Sequence, residues 1–170
     1  MKTEQLRELQ APIKARYRDD PGRAVITLRA AGGLDSEAVS CSVQTGKALV
    51  EAGLHPASGG DGSLACSGDM LLEALVACAG VTMRSVAVNR GIEVTGRVLA
   101  EGDLDFRGTM GVAKDAPVGF REIRLRFVLE SSATEDDLDA LLAATERYCV
   151  VYQTLISAVP VEVSVNGDQR

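Results

Sequence analysis

Four cysteines, at positions 41, 66, 78 and 149, carry most of the chemistry this sequence could perform. No two of them form a CxxC, and His55 is the one histidine, so the paired ligand spacing of a structural metal site is missing. Thiol chemistry or inert burial remains. Cys78 lies in Ala77-Cys78-Ala79-Gly80, where small neighbours leave room for another group to approach the sulfur. The same surroundings also suit an unpaired core cysteine. Cys66 directly precedes a helix start, where free N–H groups and the helix dipole stabilise a thiolate, and local electrostatics favours it as nucleophile. Cys149 follows Leu138, Leu141, Leu142 and Thr145 on one helical stripe, so its thiol could converge with that of Cys78. Cys41 reads as the inner face of a strand. Gly59-Gly60-Asp61-Gly62 fits neither phosphate-loop pattern and reads as a loop, as does His55-Pro56. Asp69 and Glu73 are like charges one helical turn apart, which calls for a cation between them; Arg84 and Arg147 are candidates.

The elements that must position these residues follow from periodicity. Residues 1–22 form a polar segment ending in the turn signal Asp19-Asp20-Pro21-Gly22, and residues 23–170 read as one domain. Strands are predicted at Arg23 to Arg29 and Val39 to Val43, with a helical turn over Lys47 to Gly53. The run from Asp69 to Asn89 is apolar nearly all round in its first half and predicts a buried helix, with Ser67 as N-cap and Asn89-Arg90-Gly91 as its stop. Strands over Ile92 to Ala100 and Phe120 to Leu129 follow, the second alternating Ile123, Leu125, Phe127 and Leu129 with charged residues. Thr134 caps a second helix that continues through Val150 to Ile156, and Val161, Val163 and Val165 alternate as a last strand. The order predicts an α+β domain with a mainly antiparallel sheet.

Composition narrows the function classes. With 18 basic and 24 acidic residues the net charge is −6, which argues against a nucleic-acid or anionic-membrane partner. The longest apolar run, Met70 to Val81, contains Glu73 and falls short of the ~20 residues of a membrane span. The charged start MKTEQLREL has no apolar signal region, so the cytoplasm is the expected compartment.

Three segments, SGDMLLEALVACAGVTM (67–83), ERYCVVYQTLI (146–156) and VPVEVSV (159–165), together resemble the OsmC/Ohr family of osmotically inducible and organic hydroperoxide resistance proteins. The resemblance covers roughly residues 23–166. It implies an intertwined homodimer with curved, mainly antiparallel sheets around two central helices and active sites at the subunit interface. By position, Cys78 matches the peroxidatic cysteine, Cys149 the resolving one, and Asp69 the glutamate that opens the helix in many members. Val150 stands where many members have proline. The family's site arginine comes from an N-terminal loop, where Arg16, Arg18 and Arg23 all remain open. The implied reaction reduces an organic hydroperoxide through a Cys78 sulfenate and a Cys78–Cys149 disulfide, which an external dithiol reduces, with neither metal nor organic cofactor. A buried thiol resists ionisation unless a cation or hydrogen bond opposes burial, so an arginine is expected beside Cys78. Leu71, Leu75 and Val81 would form apolar walls favouring bulky alkyl hydroperoxides. The alternative is a noncatalytic dimer of the same fold that binds a small apolar molecule at its interface.

Overall fold

The computed structural model describes residues 3–20, 31–34, 40–44, 49–111, 113–165 and 168–169. The expected strand over Arg23 to Arg29 lies outside them. The first element is a helix, α1 (Thr3–Asp19), where the sequence suggested only a polar segment. Most of its residues other than the internal Pro12 are good helix formers despite their polarity, and Thr3 Oγ1 ties it down by donating to the Val88 carbonyl at 2.8 Å.

A four-stranded sheet follows: β1 (Ala31–Leu34), β2 (Ser40–Gln44), β3 (Leu49–Gly53) and β4 (Ala65–Cys66). Of the helical turn expected over Lys47 to Gly53, residues 47–48 lie outside the described residues and Leu49–Gly53 is instead β3. A segment this short gains little as an isolated helix, whereas as a strand it pairs β2 antiparallel, Val50 opposite Val43, and β4 in parallel.

From β4 the chain runs straight into α2 (Ser67–Arg90). Strand pairing holds Cys66 extended, so Cys66, not Ser67, is the N-cap, and its side chain makes no capping hydrogen bond. The helix stops where expected: Gly91, at φ 70°, donates to the carbonyls of Ala87 and Val88. The apolar run is thus the middle of a 24-residue helix, long and apolar enough by length and composition to cross a membrane. Only one of its faces is covered within the chain. Leu75, Ala79, Met83 and Ala87 are buried, while Ala74, Ala77 and Val81 are exposed.

Behind the covered face lies the antiparallel ribbon of β5 (Thr95–Leu104) and β6 (Phe120–Glu130), joined through a short helix, α3 (Phe106–Thr109). The expected alternation holds, and small residues oppose large ones: Ala100 pairs with Leu125 and Gly102 with Ile123. A Cβ on Gly102 would sit 2.5 Å from the Phe120 ring, so that close approach requires glycine. Next comes α4 (Glu135–Tyr148), capped by Thr134, whose hydroxyl oxygen accepts the Asp137 N–H. Met83, Ala87, Val94 and Leu141 form the core between α2, α4 and the ribbon. The expected continuous helix breaks at Cys149 and restarts as α5 (Val150–Ile156). Of the expected last strand only β7 (Ser164–Val165) pairs, with β8 (Asp168–Gln169).

Candidate active site

Cys78 stands in the middle of α2, at the border between its covered and exposed faces, and is half-buried. Cys149 occupies the α4–α5 break, 1% exposed, with φ −74° and ψ 107°. Its N–H still donates to the Thr145 carbonyl at 2.9 Å, closing the last turn of α4. The buried Thr145 in turn donates its hydroxyl to the Leu141 carbonyl at 2.8 Å. Because the helix restarts at Val150, the first N–H groups of α5 have no intrahelical partner. Val150 and Val151 donate to Cys78, and Val151 and Tyr152 donate to Cys149.

The two thiols, free and hydrogen-bonded to each other, are pushed in opposite directions. Burial works against ionisation of Cys78. The Val151 N–H, the Cys149 S–H, the Val150 N–H and the Thr82 hydroxyl together outweigh it and hold Cys78 below the usual thiol range. Burial pushes Cys149 up, and the adjacent Cys78 sulfur adds to that, against the opposing amides of Tyr152 and Val151. One sulfur is therefore the better thiolate and the other the better proton holder. The groups holding Cys78 down are hydrogen-bond donors, where the sequence called for an arginine. Arg84 donates instead to the Val94 carbonyl at 2.9 Å, and Arg147 lies over the Tyr148 ring. Neither bridges Asp69 and Glu73. Arg16 and Arg18 fall on α1, and Arg23 lies outside the described residues.

Asp69 and Cys66 sit at the start of α2, about 14 Å and about 18 Å along the helix from Cys78 at 1.5 Å per residue. There they line a cavity of about 130 Å³ with His55, whose ring stacks on Phe106. One chain therefore does not bring Asp69 to the thiol pair. A larger groove of about 580 Å³ runs between Leu75 of α2 and Tyr152 of α5, lined by neither cysteine, with Arg121, Glu122, Arg126 and Glu146 also on its walls. Ile123, Leu125, Phe127 and Leu142 make its floor apolar. Of the three expected wall residues only Leu75 is buried; Leu71 and Val81 are exposed. Among the described residues no three His, Cys, Asp or Glu side chains converge to hold a metal.

The sequence model of the OsmC-like protein family matches residues 60–164, which include α2, both thiols and α5. The chain belongs to the OsmC-like family. No curated protein matches it in sequence. Solved structures share the OsmC-like fold. An OsmC-like protein from Mycoplasma pneumoniae superposes with a TM-score of 0.65 at 18% identity, covering 78% of this chain and 89% of that one. An organic hydroperoxide resistance protein OsmC from Legionella pneumophila gives 0.57 at 15%, covering 78% and 91%. The organic hydroperoxide resistance protein OhrB of Bacillus subtilis gives 0.52 at 14%, covering 78% and 93%. The family thus includes organic hydroperoxide resistance proteins, and this OsmC-like chain is a divergent member. The donors around its thiols, Thr82 and the amides of Val150, Val151 and Tyr152, escaped the sequence reading. Backbone N–H groups carry no residue signature, and the helix break that frees them falls in a run without glycine or proline.

Proposed function

We propose that this chain is a thiol-dependent peroxidase that reduces organic hydroperoxides to alcohols. The observation that carries the proposal is the hydrogen-bonded Cys78–Cys149 pair at the start of α5, with Cys78 poised to ionise and Cys149 to hold its proton. The Cys78 thiolate attacks the terminal peroxide oxygen; an S–O bond forms as the O–O bond breaks, and alkoxide leaves. The Cys149 thiol supplies a proton to the alkoxide and becomes a thiolate. That thiolate attacks the Cys78 sulfenic sulfur, hydroxide leaves and becomes water by taking back from solvent the proton Cys78 released on ionising, and the disulfide holds the two electrons' worth of oxidation. An external dithiol returns both cysteines to thiols by exchange.

The same reading makes the protein a homodimer. Val81 is 72% exposed on the open face of α2, and Val159, Val161, Val163 and Val165 alternate along an exposed segment that pairs only at its end. A second copy would cover both, and could bring its own Asp69 and N-terminal arginines toward the thiols. The cytoplasm suits a pair that must be reduced in every cycle. A binding-only reading draws on a cavity of about 930 Å³ between α1, α2 and β5, which shares no residue with the thiol pair.

Turnover of an alkyl hydroperoxide with a dithiol reductant tests the proposal. Cys78→Ser should abolish it and Cys66→Ser should leave most of it. Loss on Cys66→Ser with retention on Cys78→Ser would move the nucleophile to the α2 N-terminus, and no turnover in wild type would leave the binding-only reading.

A further inference from the structure

An uninterrupted helix through α4 and α5 would pair the Val150 N–H with the Glu146 carbonyl and the Val151 N–H with the Arg147 carbonyl. Both amides would then be lost to Cys78. At the break, the Glu146 carbonyl instead receives the side-chain amide of Gln153, Nε2 to O 2.9 Å. The backbone N–H of Gln153 donates to the Cys149 carbonyl, also at 2.9 Å. One residue therefore fastens the first turn of α5 twice, to the break through its main chain and to the last turn of α4 through its side chain. An inserted side-chain donor is a known way to hold a helix ladder open.

We propose that Gln153 is a positioning residue for the Cys78 thiol: its side-chain amide wedges the α4–α5 junction open and so keeps the Val150 and Val151 N–H groups on the sulfur. The role deepens the peroxidase reading, but its effect on thiol ionisation exists whether or not peroxide is the substrate. The depressed ionisation of Cys78 agrees with it. Other groups that face Cys78 are the Cys149 thiol and the Thr82 hydroxyl, with the half-buried Tyr152 nearby on α5. Glu146 and Arg147 of α4 are exposed, and Arg84 of α2 is held by the Val94 carbonyl. Behind α2, β5 presents Val98 to Gly80, with its charged Arg97 and Glu101 exposed.

The test is the pH dependence of iodoacetamide alkylation at Cys78, read by peptide mass on the full chain, with circular dichroism as the check on folding. Gln153→Ala removes the donor; Gln153→Met also removes it but keeps bulk and helix propensity, in case the alanine variant folds poorly. Either should raise the Cys78 midpoint by about one pH unit, a roughly tenfold slower reaction at neutral pH. Adding Val150→Pro to Gln153→Met should recover about half of the shift or more. Proline at the first helical position has no N–H to pair with Glu146 and forbids closure of the helix, so the Val151 N–H stays on the sulfur. An unchanged midpoint in folded Gln153→Met overturns the proposal, as does a raised midpoint that Val150→Pro fails to lower. Failure of peroxide turnover with the midpoints moving as described would count against the peroxidase reading alone.

Discussion

At the scale of single residues, Cys78 and Cys149 share a hydrogen bond and the Val151 amide, yet their surroundings pull them apart. A thiol whose ionisation is favoured in the fold reacts as thiolate above its lowered midpoint, and its reactivity falls away as pH drops through that midpoint. Alkylation of Cys78 should therefore be half-maximal at a lower pH than that of Cys149. Site-resolved alkylation across pH 6–10 checks the order (roughly the span in which thiols titrate). Equal midpoints would contradict it. Thr82→Val removes one donor to Cys78 and should slow its alkylation at neutral pH by up to about tenfold, without loss of fold. Side-chain patterns alone left the nucleophile open and favoured Cys66 at the helix start; the choice of Cys78 and Cys149 came from the family resemblance. What tunes the pair was not legible in the sequence. Asp69 was legible as a helix-opening carboxylate, yet one chain places it with Cys66 and His55, away from the pair.

At the scale of elements, the long helix and the β5–β6 ribbon followed from strong periodicity. β3 did not, because sheet pairing decided a segment too short to decide for itself. The α4–α5 break is the feature that matters most for chemistry, and side chains on both sides of it are helix-compatible. Its cause lies in tertiary hydrogen bonds such as that from Gln153. The scaffold around it is small, so its core is sensitive. Leu141 is fully buried between α2 and the ribbon, and Leu141→Ala should cost about 2–5 kcal/mol in denaturant unfolding. Gly102→Ala forces a Cβ into the Phe120 ring and should cost about 1–3 kcal/mol by the same measurement. A neutral Gly102→Ala would mean that the ribbon is looser than its packing indicates.

At the scale of the whole molecule, a helix apolar on nearly every side is covered on one side only. The sequence read that helix as wholly buried, and the proposed second copy would cover its open side. Sedimentation should show a dimer at micromolar concentration, and Val81→Glu, placing a charge on the open face of α2, should shift it toward monomer. A stable wild-type monomer would remove the second copy from the site. The claim on which the rest depends is that Cys78 and Cys149 together reduce a peroxide. Intact-mass analysis after one equivalent of an alkyl hydroperoxide tests it most directly. Wild type should lose about 2 Da per chain, reversibly with a dithiol, as the disulfide forms, while Cys149→Ser should gain about 16 Da as a sulfenic acid and, in excess peroxide, about 32 Da. Folded proteins whose masses do not change in either case would contradict the account.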